Sequence, residues 1–123
     1  MQYRETSEKI IGCAYRVYNQ MGFGFLESVY EKCMAIELRN EGLVAKCQQP
    51  ITVHYRGEVV GEFIADMVVE DAIILELKSV RRIIKAHEVQ LVNYLVATRK
   101  DVGLILNFGE RGVEVKRKLR KLK

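Results

Sequence analysis

The chain has 123 residues, 49% of them apolar and 29% charged, which is ordinary for a globular domain and enough to bury a real core. No run of about 18 or more apolar residues exists, so no helical membrane span is expected, and the opening MQYRETSEKI lacks the apolar stretch of a signal peptide, so a cytoplasmic location is expected. The net charge of +4 is uneven: the last eight residues, KRKLRKLK, hold six of the 20 basic groups, while the preceding 115 residues carry 14 basic and 16 acidic ones.

Residues 1–115 therefore read as one domain and residues 116–123 as a basic C-terminal tail. Such a tail either holds polyanions by displacing counterions or is a solvated end, and both readings stay open. Cys13, Cys33 and Cys47 are odd in number and widely spaced, without a CxxC pair, which argues against zinc or disulfide chemistry.

The first helix is expected over residues 6–20, where Ile10, Ile11, Ala14, Val17, Tyr18 and Met21 share one face, with Thr6 or Ser7 as its cap. Gly22-Phe23-Gly24 breaks it. A second helix follows from about Leu26 to Glu41, with Leu26, Val29, Tyr30, Cys33, Met34 and Leu38 as its stripe and Gly42 as its stop. Glu27 lies in its first turn, where a carboxylate complements the helix dipole. Gln48 to Tyr55 reads as a strand, at a sheet edge because of Pro50, and Arg56-Gly57 as a hairpin turn. Glu58 to Val69 is a long strand in which Gly61 marks a bulge or bend.

The stretch Phe63 to Val80, FIADMVVEDAIILELKSV, carries the chemistry. A turn at Glu70-Asp71-Ala72 predicts a hairpin with Asp66 opposite Glu76, Val68 opposite Ile74 and Ile64 opposite Lys78. Residues two apart share a face. One face then holds Ile64, Asp66, Val68, Ile74, Glu76 and Lys78, and the other holds Phe63, Ala65, Met67, Val69, Ile73, Leu75 and Leu77. Ile73-Ile74-Leu75 is apolar without alternation, as in a strand covered on both sides, so Glu76 needs a partner. Two facing carboxylates in a poorly solvated place suit a hard divalent cation such as Mg²⁺ or Mn²⁺, and without one a carboxyl group should keep its proton to higher pH.

Arg81, Arg82 and Lys85 lead into a helix ending near Arg99. His87, Gln90 and Tyr94 form one stripe of it, read either as a polar margin or as a stripe facing the acidic pair, with His87 the weakest member. Val102 to Phe108 is a further apolar strand, joined to the Ile73 strand through a right-handed crossover and hence parallel to it. Val113 to Val115 is a short last strand. The fold class is α/β with a mixed central sheet flanked by helices, in the order α-α-β-β-β-α-β-β.

This order, with Asp66 followed by Glu76-Leu77-Lys78, resembles the restriction-endonuclease-like core of the PD-(D/E)XK nuclease superfamily and its D-x(n)-E-x-K signature. Gly24-Phe25-Leu26-Glu27-Ser28-Val29-Tyr30 is similar to the motif of one of its families, GxxExxY, as are HEVQLVNYL (His87 to Leu95) and LILNF (Leu104 to Phe108). Ala65 stands where a proline often precedes the aspartate. The resemblance implies a metal-dependent nuclease in which Glu27, Asp66 and Glu76 form the metal set and Asp66, Glu76, Lys78, Gln90 and Tyr94 the catalytic set. Arg81, Arg82, Lys85, Lys116, Arg117 and Lys118 would track a DNA or RNA backbone. A small core offers little surface for grasping a duplex, which points to a homodimer or a partner chain. Two rival readings stand beside it: a catalytically silent module binding nucleic acid or protein on the same fold, and a buried Asp66/Glu76/Lys78 ion-pair network.

Overall fold

The computed structural model describes residues 3–120. Its elements are α1 (Arg4–Met21), α2 (Glu27–Asn40), β1 (Ala45–Tyr55), β2 (Glu58–Val69), β3 (Ile73–Lys78), α3 (Lys85–Thr98), β4 (Val102–Gly109) and β5 (Gly112–Leu119). They form a five-stranded sheet in the order β1-β2-β3-β4-β5. All neighbours are antiparallel except β3 and β4, which are parallel with α3 as the crossover. The expected fold class and element order are both present. No helix among the described residues is long and apolar enough to cross a membrane.

Burial explains the layering. Strand β4 is buried along its whole length and β3 along all but Lys78, as befits central strands covered on both faces. On one face, Ile10, Val17, Tyr30, Met34 and Leu38 of α1 and α2 pack on Met67, Val69, Leu75, Leu77, Leu104 and Phe108. On the other, Leu91, Tyr94 and Leu95 of α3 pack on Ile51, Ala65, Val68, Ile74 and Ile105. Strand β1, with Pro50, lies at the edge. The register shift in the first hairpin leaves Val60 as the extra residue beside Gly61.

Four expectations are corrected. Helix α1 starts at Arg4 with Tyr3 as its N-cap, and Ser7 is buried inside the helix, 3% exposed with its hydroxyl unpartnered, so neither it nor Thr6 caps. Strand β5 does not stop at Val115 but runs through Lys116–Leu119, so half of the expected tail is sheet edge; residues 121–123 lie outside the described residues. Lys118 is tied there to Glu88 at 3.0 Å and Arg120 to Asp101 at 2.8 Å. Finally, Ala65 packs with the α3 cluster rather than with Met67, and Phe63 meets Tyr94 of α3.

Gln48 of β1, opposite Asp66, has a φ of 53° and drops out of the ladder, although Cys47↔Met67 and Gln49↔Ala65 pair on either side. Both strands change face at this pair: Cys47 and Met67 pack on the α1–α2 side, Ile51 and Ala65 on the α3 side.

Candidate active site

The β2–β3 hairpin has the expected register, Val69↔Ile73, Val68↔Ile74 and Met67↔Leu75, and the ladder ends there. Beyond it the backbones are joined by side chains. The Asp66 N–H donates to Glu76 Oε2 at 3.0 Å, and the Leu77 N–H donates to Asp66 Oδ2 at 2.7 Å. The two carboxylates thus stand in for the missing carbonyl acceptors, and the second oxygens, Asp66 Oδ1 and Glu76 Oε1, take no part in these bonds.

Glu76 is 6% exposed. Burial, then the Asp66 charge, pushes its carboxyl up to about 7, against the pull of the Asp66 N–H and Lys78. Burial also raises Asp66, with Glu27 and Glu31 adding to the rise and the Leu77 N–H and Lys78 opposing it. Lys78, half-buried and two residues after Glu76, supplies a positive field to both acids yet makes no ion pair with either among the described residues. The buried ion-pair network is therefore not formed.

The turn before α2 aims a third carboxylate at this point. Gly24 has a φ of 102°, a value that favours glycine. The Tyr30 hydroxyl donates to Gly22 O at 2.6 Å, and its ring stacks on Phe108 at 4.3 Å. Ser79 just beyond β3 donates through Oγ to Phe25 O at 2.7 Å and through its N–H to Glu27 Oε2 at 3.3 Å. Ser79 thus fastens the start of α2 to the end of β3 through Phe25 and Glu27, while Tyr30 ties α2 to Gly22 and to Phe108 of β4. Glu27 acts on both acids through its charge. Among the described residues, however, no three His, Cys, Asp or Glu side chains converge closely enough to cage a metal. The geometry is a carboxylate pair with Glu27 adjacent, rather than a three-ligand set.

Of the α3 stripe, Tyr94 lies within the field of the pair. It is 7% exposed, and its phenol is raised by burial and then by the Glu76 and Asp66 charges. Gln90 is exposed and lines a groove beside Phe63, with no hydrogen bond to either acid among the described residues. His87 caps its own helix, its Nδ1 accepting from the Ile84 N–H at 3.1 Å.

Arg81 and Arg82 are exposed on the segment after β3, and Lys85 is exposed at the start of α3. Lys116 lies in the row Glu76↔Ile105↔Lys116, two strands from Glu76 or about 9–10 Å. Arg117, next along β5, points to the opposite face, and Lys118 is engaged by Glu88.

Two contributors were not anticipated. Glu31, one turn after Glu27, accepts from Gln48 Nε2 at 2.6 Å and raises Asp66; its i,i+4 spacing from Glu27 was the available signal. Asn107 is fully buried on β4 beside Lys78, accepts from the Val80 N–H and donates to Val80 O, both at 2.9 Å. Glu114 Oε1 accepts from Asn107 and from the Ile83 N–H. These two side chains hold the segment carrying Arg81 and Arg82.

A family model described as the PD-(D/E)XK nuclease superfamily matches residues 4–119. The chain belongs to this superfamily. Asp66, Glu76 and Lys78, the residues expected to carry its D-x(n)-E-x-K signature, lie where the β2–β3 ladder opens. No curated protein matches the sequence. Among solved structures, the chain is similar to the crystal structure of SSO0001, with a TM-score of 0.63 and 16% identity over 99% of this chain and 61% of that one. It is also similar to an alkaline exonuclease (LHK-Exo) from Laribacter hongkongensis, with a TM-score of 0.56 and 12% identity over 76% of this chain and 56% of that one. The chain spans less than two thirds of either solved protein, and at these identities the likeness is one of fold.

Proposed function

We propose that this chain is a metal-dependent nuclease of the GxxExxY kind, hydrolysing phosphodiester bonds of DNA or RNA. The observation that carries the reading is the reciprocal bonding of Asp66 and Glu76, which turns one oxygen of each carboxylate to the backbone and frees the other for a cation. The donor set fits Mg²⁺ or Mn²⁺: both are hard ions, and Mg²⁺ in particular binds through one or two carboxylates and completes its shell with water and substrate phosphate. Bound at the pair, such an ion polarises a phosphoryl oxygen and lowers the pKa of a water.

The chain's own residues do the rest. Asp66 and Glu76 hold the cation site in register because each is tied to the other's strand. Glu27, anchored to the Ser79 N–H, adds negative field and is positioned to hold a metal-associated water. The Lys78 ammonium offsets charge growing on the phosphate and orients the attacking water. Tyr94 closes the α3 side of the pair and limits water there. Arg81, Arg82, Lys85 and Lys116 supply cations for the nucleic-acid backbone, giving affinity without sequence preference.

The test is a panel of labelled single- and double-stranded DNA and RNA, incubated with Mg²⁺, Mn²⁺ or chelator, beside Glu76→Ala. Cleavage that needs both the metal and Glu76 supports the reading. Cleavage by the Glu76→Ala protein at the wild-type rate refutes it.

A further inference from the structure

Beside the acid pair, between α3 and the β1–β2 hairpin, lies an open groove of about 1060 Å³ lined by Phe63, Lys85, Gln90, Asn93, Tyr94 and Arg99 among others. Its walls are apolar and accessible: Phe63 is 46% exposed, and Val89 and Val96 of α3 are 47% and 52% exposed. The Phe63 ring meets Tyr94 at 5.8 Å between centroids with a 42° tilt, so one aromatic face is backed by a second ring rather than by solvent. Tyr94 also joins the groove to the catalytic acids, whose charges act on its phenol.

The polar groups along the groove are of a particular kind. Gln90 and Asn93 offer amide donors and acceptors, Lys85 and Arg99 are cations, and no Asp or Glu lines it among the described residues. Lys85 opens the 14-residue helix and Arg99 follows its end, so the two stand about 21 Å apart by helical rise. Cations at both ends, amides between them and an aromatic platform in the middle match a polyanion whose apolar faces are turned outward. That is a nucleic-acid strand with its bases unstacked. In a duplex the base faces are already covered by their neighbours, and a stacking platform has nothing to take.

We propose that this groove seats unstacked nucleobases against Phe63, so that the acid pair is served by single-stranded nucleic acid or by a single-stranded end. The inference deepens the nuclease reading and rests on it for the chemistry, while its own readout is binding. The Lys85 and Arg99 side chains hold the backbone, the amides of Gln90 and Asn93 meet base edges, and the strand leaves the groove past Tyr94 toward Asp66 and Glu76.

The test uses the whole chain with chelator present, and fluorescence anisotropy of a short labelled single strand and of a blunt duplex of the same sequence. The wild type is expected to prefer the single strand. Phe63→Ala should weaken single-strand binding about 5- to 100-fold, the loss that one stacked base predicts, and leave duplex binding unchanged. Phe63→Trp should restore it, and circular dichroism melting of both variants confirms that they fold. Equal binding of single strand and duplex, or a Phe63→Ala protein that binds the single strand as wild type does, overturns the proposal. So does self-association that Phe63→Ala abolishes without touching strand binding, which would assign the groove to a second copy of the chain. Loss of cleavage in Glu76→Ala is scored separately, so a failed groove and a failed nuclease reading give different results.

Discussion

Asp66 and Glu76 are held together by two backbone hydrogen bonds, Asp66 N–H to Glu76 Oε2 at 3.0 Å and Leu77 N–H to Asp66 Oδ2 at 2.7 Å, at the point where the β2–β3 ladder stops. The arrangement places two carboxylates in a poorly solvated pocket without matching them to an ion pair. Burial and mutual repulsion make this arrangement costly when both groups are charged, a cost that a bound cation would relieve.

That cost gives a pH dependence. Glu76 is raised from 4.5 to about 7 by burial and by Asp66, so the native chain binds more protons than the unfolded one between these values. Stability without metal should therefore fall as pH rises through this window, by about 1–3 kcal/mol between pH 4.5 and pH 7. Denaturant melts in chelator should show the fall in the wild type and lose it in Glu76→Gln. A wild-type protein whose stability rises across the window as much as that of the variant would contradict the burial of a protonated Glu76.

Lys78 lies in the field of both acids without pairing to either, so its ammonium is available to substrate. Lys78→Ala should fold normally and lower the cleavage rate about 10²- to 10³-fold, as removal of a single charge-stabilising group does. Single-turnover cleavage with saturating metal is the measurement, and an unchanged rate would remove Lys78 from the mechanism.

Glu31 raises Asp66 from the side of α2. Glu31→Gln should lower the pKa of the acid pair and shift the acidic limb of the pH–rate profile to lower pH, with the limb of wild type recovered in Glu31→Asp. A shift to higher pH would mean that Glu31 acts through something other than its charge.

Asn107 satisfies both the N–H and the C=O of Val80 from a fully buried position. Asn107→Leu leaves both groups without that partner and should cost about 2–6 kcal/mol, at about 1–3 kcal/mol for each unsatisfied group. Hydrogen exchange should show the Val80 and Ile83 amides losing protection before the rest of β3 and β4. Uniform loss across the sheet would instead mean that Asn107 serves the core and not the segment after β3.

The fold and the acid pair were legible because they rest on local rules. Period, turn residues and strand length are written in consecutive residues, and they predicted the β2–β3 register that the ladder shows. The family motif predicted Glu27 near the pair, and Gly24 and Tyr30 now have reasons: one turns the chain, the other anchors Gly22 O. What was not legible depends on distant partners. The change of face at the Gln48–Asp66 pair involves two strands, and alternation along β2 alone could not move Ala65 and Phe63 to the other side. KRKL reads as tail by charge, yet its second lysine, Lys118, and the following Arg120 find Glu88 and Asp101, which lie on and just beyond α3. Gln90 shares a stripe with Tyr94, but one turn of helix carries it from the acids into the groove.

The central claim is that Asp66 and Glu76 form one cation site. Isothermal titration of Mg²⁺ or Mn²⁺ into the wild type near neutral pH, repeated in buffers of different ionisation heat, tests it most directly. A single site is expected whose occupation releases a proton, because Glu76 is partly protonated beforehand, and whose affinity is lost in Glu76→Gln and in Asp66→Asn. Binding that releases no proton and survives both substitutions would contradict it.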